Sequence, residues 1–499
     1  MACAFCLVGV IVSCAASALA ADDGSAATSP GGDDYYVSTQ GSDANDGLTP
    51  ETAILTIGEA VERANRTYGS RITVLPGTYS FPGTQEWTTI TNAVVLASQT
   101  GNPDDVVIDC CGGYGLGTAH ALARIEGVSI ANSYGGEANG HALWINGGAA
   151  TNITVCNLTG MVYAAVCISG GTLGGLLFTN NVNDARTTNG GVVLNASESS
   201  LIASTFICNK AGGAPVRIKS ANCYVEDCNF LTNLYVSSCA NQNGGAIFAD
   251  PNPGSTYIRC CRFIGNAGNE SGACFLNRGG TVSDCFFQGN EAFYHGSCFR
   301  GWYGSGTIDR CVFIDNIGSD HGVFYFSEST ITVRNCLFAG NRSKGGAPGV
   351  ITSGRANHFL NCTFYGNRST TGGTHALYLS HQSATVKNCI FYGNGPSADS
   401  RNAYVATAAN IRNTCYPEAV AGNTTGNFAV SLLFGDAENG EFRLRHGSPC
   451  INSGDWTFLG ATMDEVMAQK DLAGTSRLLR SQVDMGCFEY VWPTAVLLH

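Results

Sequence analysis

Short runs of alternating apolar and polar residues recur along the chain, and a Cys-x-Phe-x-x-Asn motif marks each recurrence. In the segment NCIFYGN, residues 388–394, Cys389 and Phe391 lie two positions apart. Residues two apart lie on the same face of an extended chain, so the pattern predicts a short strand with an inward face. The copies are Cys228-Phe230-Asn233, Cys261-Phe263-Asn266, Cys285-Phe287-Asn290, Cys311-Phe313-Asn316, Cys336-Phe338-Asn341, Cys362-Phe364-Asn367 and Cys389-Phe391-Asn394.

The repeat has a nearly constant length. Successive motif phenylalanines are 33, 24, 26, 25, 26 and 27 residues apart, and looser copies at Phe206-Asn209 and Phe178-Asn181 extend the series. After each motif come a few polar residues, a glycine and a second apolar run, as in residues 244–248 and 322–326. A period of about 20 to 50 residues is typical of a solenoid. We therefore predict an all-β protein, a right-handed parallel β-helix with an N-terminal capping helix.

Stacking explains why one motif recurs. Equivalent residues of successive coils lie about 4.8 Å apart, so each repeated residue type forms a ladder. We expect the phenylalanines to stack in the interior and the cysteines to pack beside them as small buried hydrophobes. The asparagines are expected to occupy left-handed turn positions and to bond their own backbone or the next coil. The motif is interpreted as structural rather than metal-binding or redox-active.

The region before the repeats predicts a cap and the first coils. Thr56 followed by Glu59 fits a helix capping box. The apolar face of this helix consists of Ile57, Ala60, Val61 and Ala64. A bare solenoid end exposes unpaired backbone and core, so the helix is expected to cover it. We assign the cap and first coils to residues 35–130, the repeats to 131–425, C-terminal coils and a cap to 426–490, and a tail to 491–499.

The first 20 residues are predicted to be a signal peptide. Their apolar run ends in Ala18-Leu19-Ala20, a small-x-small cleavage site followed by acidic residues. Residues 21–34 then form a flexible linker. The run contains no Lys or Arg, and residues 11–14 resemble a lipoprotein box, so a lipid on Cys14 is the alternative to cleavage after Ala20. Both alternatives place the protein outside the cell, secreted or at the cell surface.

Composition narrows the class of protein further. Glycine accounts for 64 of 499 residues, charged residues for 13% and hydrophobic residues for 44%, a mix typical of a turn-rich β protein with a long core. The net charge is -12 without a basic stripe, so nucleic acid is not an expected partner. No later apolar stretch approaches the roughly 20 residues of a membrane span. We further expect a monomer.

The cysteines raise the question of disulfides. Removal of Cys3, Cys6 and Cys14 with the leader leaves 20 of the 23 cysteines in an exported chain, where disulfides are favoured. Equivalent side chains of stacked parallel strands point the same way, which suits the torsion of a disulfide badly. The better bridge candidates are Cys110-Cys111, Cys260-Cys261, Cys223 and Cys239. No spacing of cysteine and histidine predicts a zinc site.

At this point the chain resembles known families. Residues 35–61, YYVSTQGSDANDGLTPETAILTIGEAV, with LPGTY at 75–79, resemble the N-terminal entry of secreted bacterial pectate-lyase-like β-helix proteins, including family 9 polysaccharide lyases. The GGAI and FxxN repeats are similar to those of chlamydial polymorphic outer-membrane adhesins. FRLRHGSPCINSGD at 442–455, KDLAGTSR at 470–477 and VDMGCFEY at 483–490 resemble the C-terminal portion of choice-of-anchor Q β-helix proteins. The resemblance covers most of residues 35–490 and implies a parallel β-helix fold and export from the cell.

The lyase resemblance implies a particular chemistry. Lyases of this fold remove the proton α to a uronate carboxylate with an unprotonated Lys or Arg, while calcium acidifies that proton. Arg217 and Lys219, in the segment PVRIKS, are the candidates for the base. A solvated strand face is the alternative reading of this segment, as a glycine-rich turn is for residues 41–47. The candidate calcium ligands are Glu226, Asp227, Asp43, Asn45 and Asp46; calcium is the one possible cofactor and none is certain.

A surface pattern supplies a second set of candidates. Adjacent coils are predicted to place two imidazoles beside a carboxylate on one turn, and a tryptophan between an arginine and a glutamate beyond the next strand. Counted from each ladder Phe, position +8 holds His295 and His321, position +7 holds Glu270, Tyr294 and Asp320, and position +15 holds Arg278, Trp302 and Glu328. Histidine with aspartate supports acid-base chemistry, and tryptophan beside charged groups suits a sugar ring. Exposed turn residues without a role are the alternative.

Three hypotheses of function follow. The first is a secreted or cell-surface β-helix protein, adhesin-like, that binds carbohydrate or another surface partner, either glycan or protein. The second is a polysaccharide-degrading enzyme, a lyase before a hydrolase, which needs an outward groove with a base near calcium or clustered carboxylates. The third is a purely structural surface protein. An adhesin needs only repeated polar or aromatic faces, which the repeats supply.

Overall fold

A computed structural model describes most of the chain in two compact units. The N-terminal unit comprises residues 31–280 and 290–293, and the C-terminal unit comprises residues 281–289 and 294–491. The predicted signal peptide, the linker up to residue 30, Cys239 and most of the predicted tail lie outside the described residues. The described residues are 31–133, 140–182, 190–235, 244–251, 255–345, 350–353, 355–370, 376–394, 403–405, 407, 410–416, 426–427, 429, 434–479 and 481–491.

Each unit is a parallel β-solenoid in which short strands pair with their equivalents one coil away, as predicted. Strands at equivalent positions of successive coils form a ladder of strands. We number the four ladders in chain order within one coil, and ladder 2 carries the motif phenylalanines. In the N-terminal unit, the long strands Arg124–Ala131 and Ala149–Cys156 serve ladders 1 and 2 together. The other strands of these ladders are Asp34–Val37, Arg71–Val74, Val95–Ser98, Thr172–Gly174, Ser200–Ile202, Cys223–Glu226 and Thr256–Arg259 in ladder 1, and Gly77–Ser80, Val106–Asp109, Leu177–Thr179, Thr205–Ile207, Asn229–Leu231 and Arg262–Ile264 in ladder 2.

Ladders 3 and 4 complete the coils of the N-terminal unit. Ladder 3 consists of two-residue strands and ladder 4 of three-residue strands with apolar inward positions. The strands are Lys210–Ala211, Leu234–Tyr235, Ala267–Gly268 and Glu291–Ala292 in ladder 3, and Thr88–Ile90, Leu116–Thr118, Leu143–Ile145, Val166–Ile168, Val192–Leu194, Val216–Ile218, Ile247–Ala249 and Cys274–Leu276 in ladder 4.

The C-terminal unit repeats the same four ladders. The division between the units falls within strand Gly279–Ser283. The strands are Gly304–Asp309, Ser329–Arg334, His358–Leu360, Thr385–Lys387 and Ile411–Arg412 in ladder 1; Phe286–Gln288, Val312–Ile314, Leu337–Ala339, Thr363–Tyr365 and Ile390–Tyr392 in ladder 2; Ile317–Gly318, Arg342–Ser343 and Arg368–Ser369 in ladder 3; and Phe299–Gly301, Phe324–Ser327, Val350–Ser353, Leu377–Leu379 and Ala403–Val405 in ladder 4.

The predicted N-terminal helix spans Ile57–Ala64 and buries the predicted face, Ile57, Ala60, Val61 and Ala64. Thr56 is its N-cap, because the hydroxyl accepts a hydrogen bond from the backbone N–H of Glu59. The helix packs on the first strands of ladders 1 and 4, so it covers apolar surface at the start of the solenoid. Two short 3-10 helices, Pro50–Thr52 and Pro103–Asp105, lie in loops of the same unit.

The ladder phenylalanines form a continuous aromatic stack inside each unit. Ring centroids of Phe230 and Phe263 are 4.9 Å apart with an interplanar angle of 2°, and those of Phe313 and Phe338 are 4.8 Å apart at 13°. All of these rings are fully buried. The stacking distance matches the spacing between coils, so the strand hydrogen bonds also set the ring contacts.

The asparagines form a second ladder of hydrogen bonds. Asn233 Nδ2 donates to Asn266 Oδ1 at 2.9 Å and to the Phe206 carbonyl at 3.0 Å, and Asn233 N donates to the same Asn266 oxygen. Asn341 repeats this arrangement in the C-terminal unit. The expected left-handed turn position falls one residue earlier, for example at Gly340 with φ of 63°. The ladder asparagine is therefore selected by its amide rather than by its backbone.

The ladder cysteines are buried free thiols, as predicted. Burial raises the pKa of Cys336 and Cys389. Among the predicted bridge candidates, Cys260 is disulfide-bonded, whereas Cys110, Cys111, Cys223 and Cys261 are not. The prediction that Cys110, Cys111, Cys223 and Cys261 form disulfides is therefore wrong. Cys110 is buried and Cys111 exposed, so the two thiols face opposite sides of the chain.

Residues 434–491 lie along the outer face of ladder 2 in the C-terminal unit. An antiparallel hairpin, Phe434–Asp436 with Glu441–Leu444, begins this segment. Its apolar side chains, with those of a later turn, pack on outward residues of the coils: Phe442, Leu472, Cys487 and Phe488 contact Val312, Leu337 and Ala339. The remaining elements are 3-10 helices Ala437–Asn439 and Trp456–Phe458 and helix Met463–Ala468.

Truncation of one ladder ring tests the core. Phe313→Ala should lower the free energy of unfolding by about 3 to 5 kcal/mol, because it removes a buried ring that contacts rings in both neighbouring coils. Phe293→Ala is the matched control, since that ring is 47% exposed, and it should change stability little. Equal losses in the two variants, measured by denaturant unfolding, would contradict the interior stack.

Thiol reactivity tests the cysteine ladder. Cys285, Cys311, Cys336 and Cys362 should resist a maleimide reagent in the folded protein and react as free thiols after denaturation, because they are fully buried. Cys111 and Cys208, which are exposed, should be labelled at once. Peptide mapping by mass spectrometry reads out each site, and a disulfide within the ladder set would show the packing interpretation to be wrong.

Candidate functional site

The structure brings together the two predicted histidines of the C-terminal unit. His295 Nδ1 and His321 Nδ1 are 3.3 Å apart, within hydrogen-bond distance. Both imidazoles also contact Tyr325, with ring centroids 4.7 Å from His295 and 4.0 Å from His321. Two adjacent coils thus build a compact cluster of one phenol and two imidazoles.

An arginine extends this cluster toward two further aromatic rings. The guanidinium carbon of Arg300 lies 4.4 Å from the ring centroid of Tyr325 and 5.3 Å from that of Trp302. Its Nη1 donates to the Ser327 hydroxyl at 3.1 Å. Trp302 in turn lies nearly parallel to Tyr303, with centroids 5.8 Å apart at 9°. We call Arg300, Tyr325, Trp302 and Tyr303, together with the two histidines, the aromatic face.

The ladders explain why these side chains meet. Arg300 occupies the central position of strand Phe299–Gly301 in ladder 4, and it is in register with Tyr325 one coil later. Phe299 and Phe324, which precede Arg300 and Tyr325 in their strands, are fully buried. Arg300 and Tyr325 therefore lie on the opposite, outer face as neighbours in one ladder. Trp302 and Tyr303 follow directly where the strand ends.

Burial dominates the electrostatics of the two histidines. Partial burial lowers the pKa of His295 to about 4, and the nearby Arg300 and His321 add to the effect. Burial also lowers the pKa of His321, although a hydrogen bond to the Tyr294 carbonyl and the charge of Asp320 oppose the shift. Both imidazoles are consequently neutral at physiological pH. The predicted influence of Asp320 is present but weaker than burial.

The other predicted neighbours of Trp302 are engaged elsewhere. Arg278 belongs to the N-terminal unit, where its Nε lies 3.9 Å from Asp250 Oδ1. Glu328 Oε2 accepts from Arg355 Nε at 3.2 Å. Glu270 also belongs to the N-terminal unit, and Tyr294 is 61% exposed beside the histidine pair. Arg300, which the sequence analysis did not single out, is the cation that contacts the tryptophan ring.

Arg217 and Lys219 lie on ladder 4 of the N-terminal unit. The Arg217 guanidinium carbon is 5.2 Å from the ring centroid of Phe248, its partner in register one coil later. Partial burial and then the charge of Arg217 lower the pKa of Lys219. Glu226 belongs to ladder 1 instead and pairs with Arg259 at 2.6 Å. Asp227 is exposed with φ of 53° in the turn after that strand.

The turn at residues 41–47 already contains a cation. Arg63 Nη2 donates to the Asp43 carbonyl and Nη1 to the Asn45 carbonyl, each at 2.6 Å. The Asp43 carboxylate accepts from the backbone N–H groups of Leu55 and Thr56. Asp46 Oδ1 accepts from the backbone N–H of Leu48 and a hydroxyl. The Arg63 guanidinium therefore bonds the backbone carbonyls of Asp43 and Asn45, which would otherwise be available to coordinate calcium.

The described residues contain no group of three or more His, Cys, Asp or Glu side chains arranged to hold a metal ion. Calcium binding by Asp43, Asn45, Asp46, Glu226 or Asp227 stays a prediction. In the part of the chain that the structure describes, no helix is long and apolar enough to cross a membrane.

A match to a protein-family model supports the fold. The family model described as "Right handed beta helix region" matches residues 233–391. Similar solved structures include pectate lyase Pel9A, at 17% identity and TM-score 0.32, with 91% of this chain and 96% of that chain covered. The PL6 family alginate lyase AlyGC gives 12% identity and TM-score 0.46, with 88% of this chain but only 59% of that chain covered. The catalytic unit of a GH87 α-1,3-glucanase from Streptomyces thermodiastaticus gives 13% identity and TM-score 0.39, with 70% and 67% covered.

The class of protein is therefore a right-handed parallel β-helix, defined by the described strands and the family-model match together. No curated protein sequence matches the chain. At the identities and TM-scores given above, the likeness to these carbohydrate-active enzymes carries no activity over to this chain.

The histidine pair yields a pH prediction. His295 has a folded-state pKa of about 4, below its unfolded value near 6.5. The unfolded chain therefore binds more protons between these values, and the pair's contribution to stability falls as pH decreases from about 6.5 to 4. NMR titration of the imidazole signals should place the His295 midpoint well below pH 6, with His295→Gln as the assignment control. A midpoint between pH 6 and 7 would contradict the burial of the pair.

Proposed function

We propose that the protein is an exported, cell-surface β-helix protein that binds carbohydrate through the aromatic face of its C-terminal unit. The observation that carries the proposal is the outward row in which the Arg300 guanidinium lies over both Tyr325 and Trp302. Aromatic rings present apolar faces to the C–H groups of a sugar ring. The Arg300 guanidinium is only 7% exposed, so its role is to hold these rings in place.

The exposure of the rings supports this assignment. Tyr303 is 46% exposed and Tyr294 is 61% exposed, while Trp302, Tyr325 and both histidines are half-buried. The rings are thus fixed by contacts on one side and open on the other. Side chains held in this way lose little further conformational entropy when a ligand binds.

Export and domain organisation complete the proposal. Residues 1–20 act as the signal peptide, with cleavage after Ala20 or a lipid on Cys14, and residues 21–34 act as a linker. The chlamydial adhesin-like repeats and the choice-of-anchor Q-like C-terminal part favour a protein displayed at the surface. The protein is proposed to act there as a monomer, with a polysaccharide or cell-surface glycan as its partner.

A polysaccharide lyase is the second candidate function. Burial and Arg217 lower the pKa of Lys219, and a lysine that loses its proton more easily is a better general base. The carboxylate proposed beside it, Glu226, lies on ladder 1 and is paired with Arg259. Carbohydrate binding by the aromatic face does not require a carboxylate beside a base. Binding is therefore the favoured function.

Replacement of one ring tests carbohydrate binding. Trp302→Ala should weaken binding to a cell-surface polysaccharide by about 1 kcal/mol or more, because stacked aromatic area is lost. Tyr224→Ala is the matched control, since this tyrosine of the N-terminal unit is also exposed and stacked, 5.1 Å from Tyr257. A glycan panel followed by calorimetry on the best ligand gives the affinities. Unchanged affinity of Trp302→Ala would contradict the assignment.

An activity assay separates the candidate functions. The protein is incubated with a panel of polyuronates, with and without calcium, while the absorbance of unsaturated products is followed. Activity that survives Trp302→Ala and disappears in Lys219→Ala, but not in the exposed-lysine control Lys470→Ala, would select the lyase. Absence of both binding and activity in a folded protein would leave a structural surface protein as the remaining hypothesis.

A further inference from the structure

A cavity of about 550 Å³ lies beside the capping helix in the N-terminal unit. It is bounded by the first turn of helix Ile57–Ala64, by strand Gly77–Ser80 and the residues after it, and by the start of strand Thr88–Ile90. Its volume lies within the range of about 300 to 1,000 Å³ that is typical of small-molecule sites. None of the residues proposed for the aromatic face or for the lyase contributes to it.

The floor of the cavity is apolar and fixed. Ile57, Tyr79 and Phe81 line it and are at most 7% exposed. The Tyr79 hydroxyl points away from bulk water and donates to the backbone carbonyls of Leu75 and Val37, at 2.7 and 3.2 Å. Leu55 adds apolar surface at the side. The floor therefore offers an apolar surface on which the one polar side-chain atom, the Tyr79 hydroxyl oxygen, is already hydrogen-bonded.

The walls carry hydroxyl groups that are available to a ligand. Thr39, Thr78, Ser80 and Thr88 line the cavity, and within the described residues their hydroxyls make no hydrogen bond to the protein. Thr56 is different, since its hydroxyl accepts from the Glu59 N–H and donates to the Asp43 carboxylate. Each hydroxyl both donates and accepts, which matches the donors and acceptors of another alcohol.

Strand Gly77–Ser80 adds backbone groups to the same wall. It is the first strand of ladder 2, and among the described strands it pairs only with Val106–Asp109. Its other edge therefore has no strand partner in the described part of the chain. Unpaired backbone groups at an edge are ready to bond a ligand or water.

Charge distinguishes the ligands that would fit. The residues that line the cavity include no Lys, Arg, His, Asp or Glu. A carboxylate or phosphate taken from water into such a site would lose solvation without a charged partner. A neutral ligand avoids this cost.

We propose that this cavity binds a neutral, polyhydroxylated small molecule, a mono- or disaccharide or a comparable polyol. The sugar hydroxyls bond Thr39, Thr78, Ser80 and Thr88, and its C–H face packs on the apolar floor of Tyr79 and Phe81. The site is separate in sequence and in chemistry from the aromatic face, so each can fail without the other.

A pair of substitutions at one position tests the proposal in the full-length mature protein. A Cβ at Gly58 would meet no heavy atom within 4 Å, and Gly58 lines the cavity in the first turn of the helix. Gly58→Trp should fill the entrance and reduce affinity for glucose, galactose or cellobiose at least tenfold, as measured by saturation-transfer NMR. Gly58→Ala is the control: it should keep affinity within about twofold, and alanine favours helix over glycine.

Charged and remote controls complete the test. Galacturonate and inorganic phosphate are the charged probes, and binding of either one in preference to the neutral sugars would overturn the proposal. Absence of neutral-sugar binding at millimolar concentration, or equal affinity in Gly58→Trp and wild type, would also overturn it. Tyr224→Ala, at an exposed tyrosine outside both sites, should leave this binding unchanged. Loss of neutral-sugar binding in Trp302→Ala with no loss in Gly58→Trp would assign the sugar to the aromatic face instead.

Discussion

The buried amide of the repeated asparagine is the interaction on which each unit of the solenoid depends. An unpaired amide in an apolar interior costs of the order of 1 to 3 kcal/mol, and each coil that carries the asparagine motif buries one. Asn233 avoids that cost only when Asn266 and the Phe206 carbonyl stand at hydrogen-bond distance, which requires the neighbouring coils to be in a single register. A slip of one residue would leave the amide unpaired and turn the phenylalanine of the same motif outward.

That fixed register decides which outward residues become neighbours. Since the core ladders hold each coil in place, the exposed positions change without disturbing the stack. His295 with His321 and Arg300 with Tyr325 each come from successive coils, and neither pair is close in sequence. Each coil therefore contributes only one or a few residues to the aromatic face. For this reason no contiguous sequence motif predicts it.

The sequence predicted mainly the structural features that repeat from coil to coil. The strand pattern, the phenylalanine and cysteine ladders and the helical face of Ile57, Ala60, Val61 and Ala64 all follow from periodicity, and the structure confirms them. The count that placed Glu328 level with Trp302 was off by one position, because the repeat length varies within one coil. Phe287 to its partner Phe313 is 26 residues, but Gly301 to its partner Phe326 is 25, so counting from the phenylalanine misplaces Glu328 by one position. Burial also moved the pKa of His295 to about 4, which spacing alone does not reveal.

Charge pairing is the reason that we propose binding rather than acid-base chemistry for the aromatic face. The carboxylates that the sequence offered for catalysis or calcium are largely satisfied within the protein: Glu226 by Arg259, Glu328 by Arg355 and Asp43 by backbone N–H groups. The histidines are held neutral by burial and by the nearby Arg300. What remains toward solvent is a set of phenol and indole rings that contact the largely buried guanidinium of Arg300. The proposed sugar binding would use the shape of this surface, whereas a reaction would need a base from another part of the chain, for which Lys219 is the candidate.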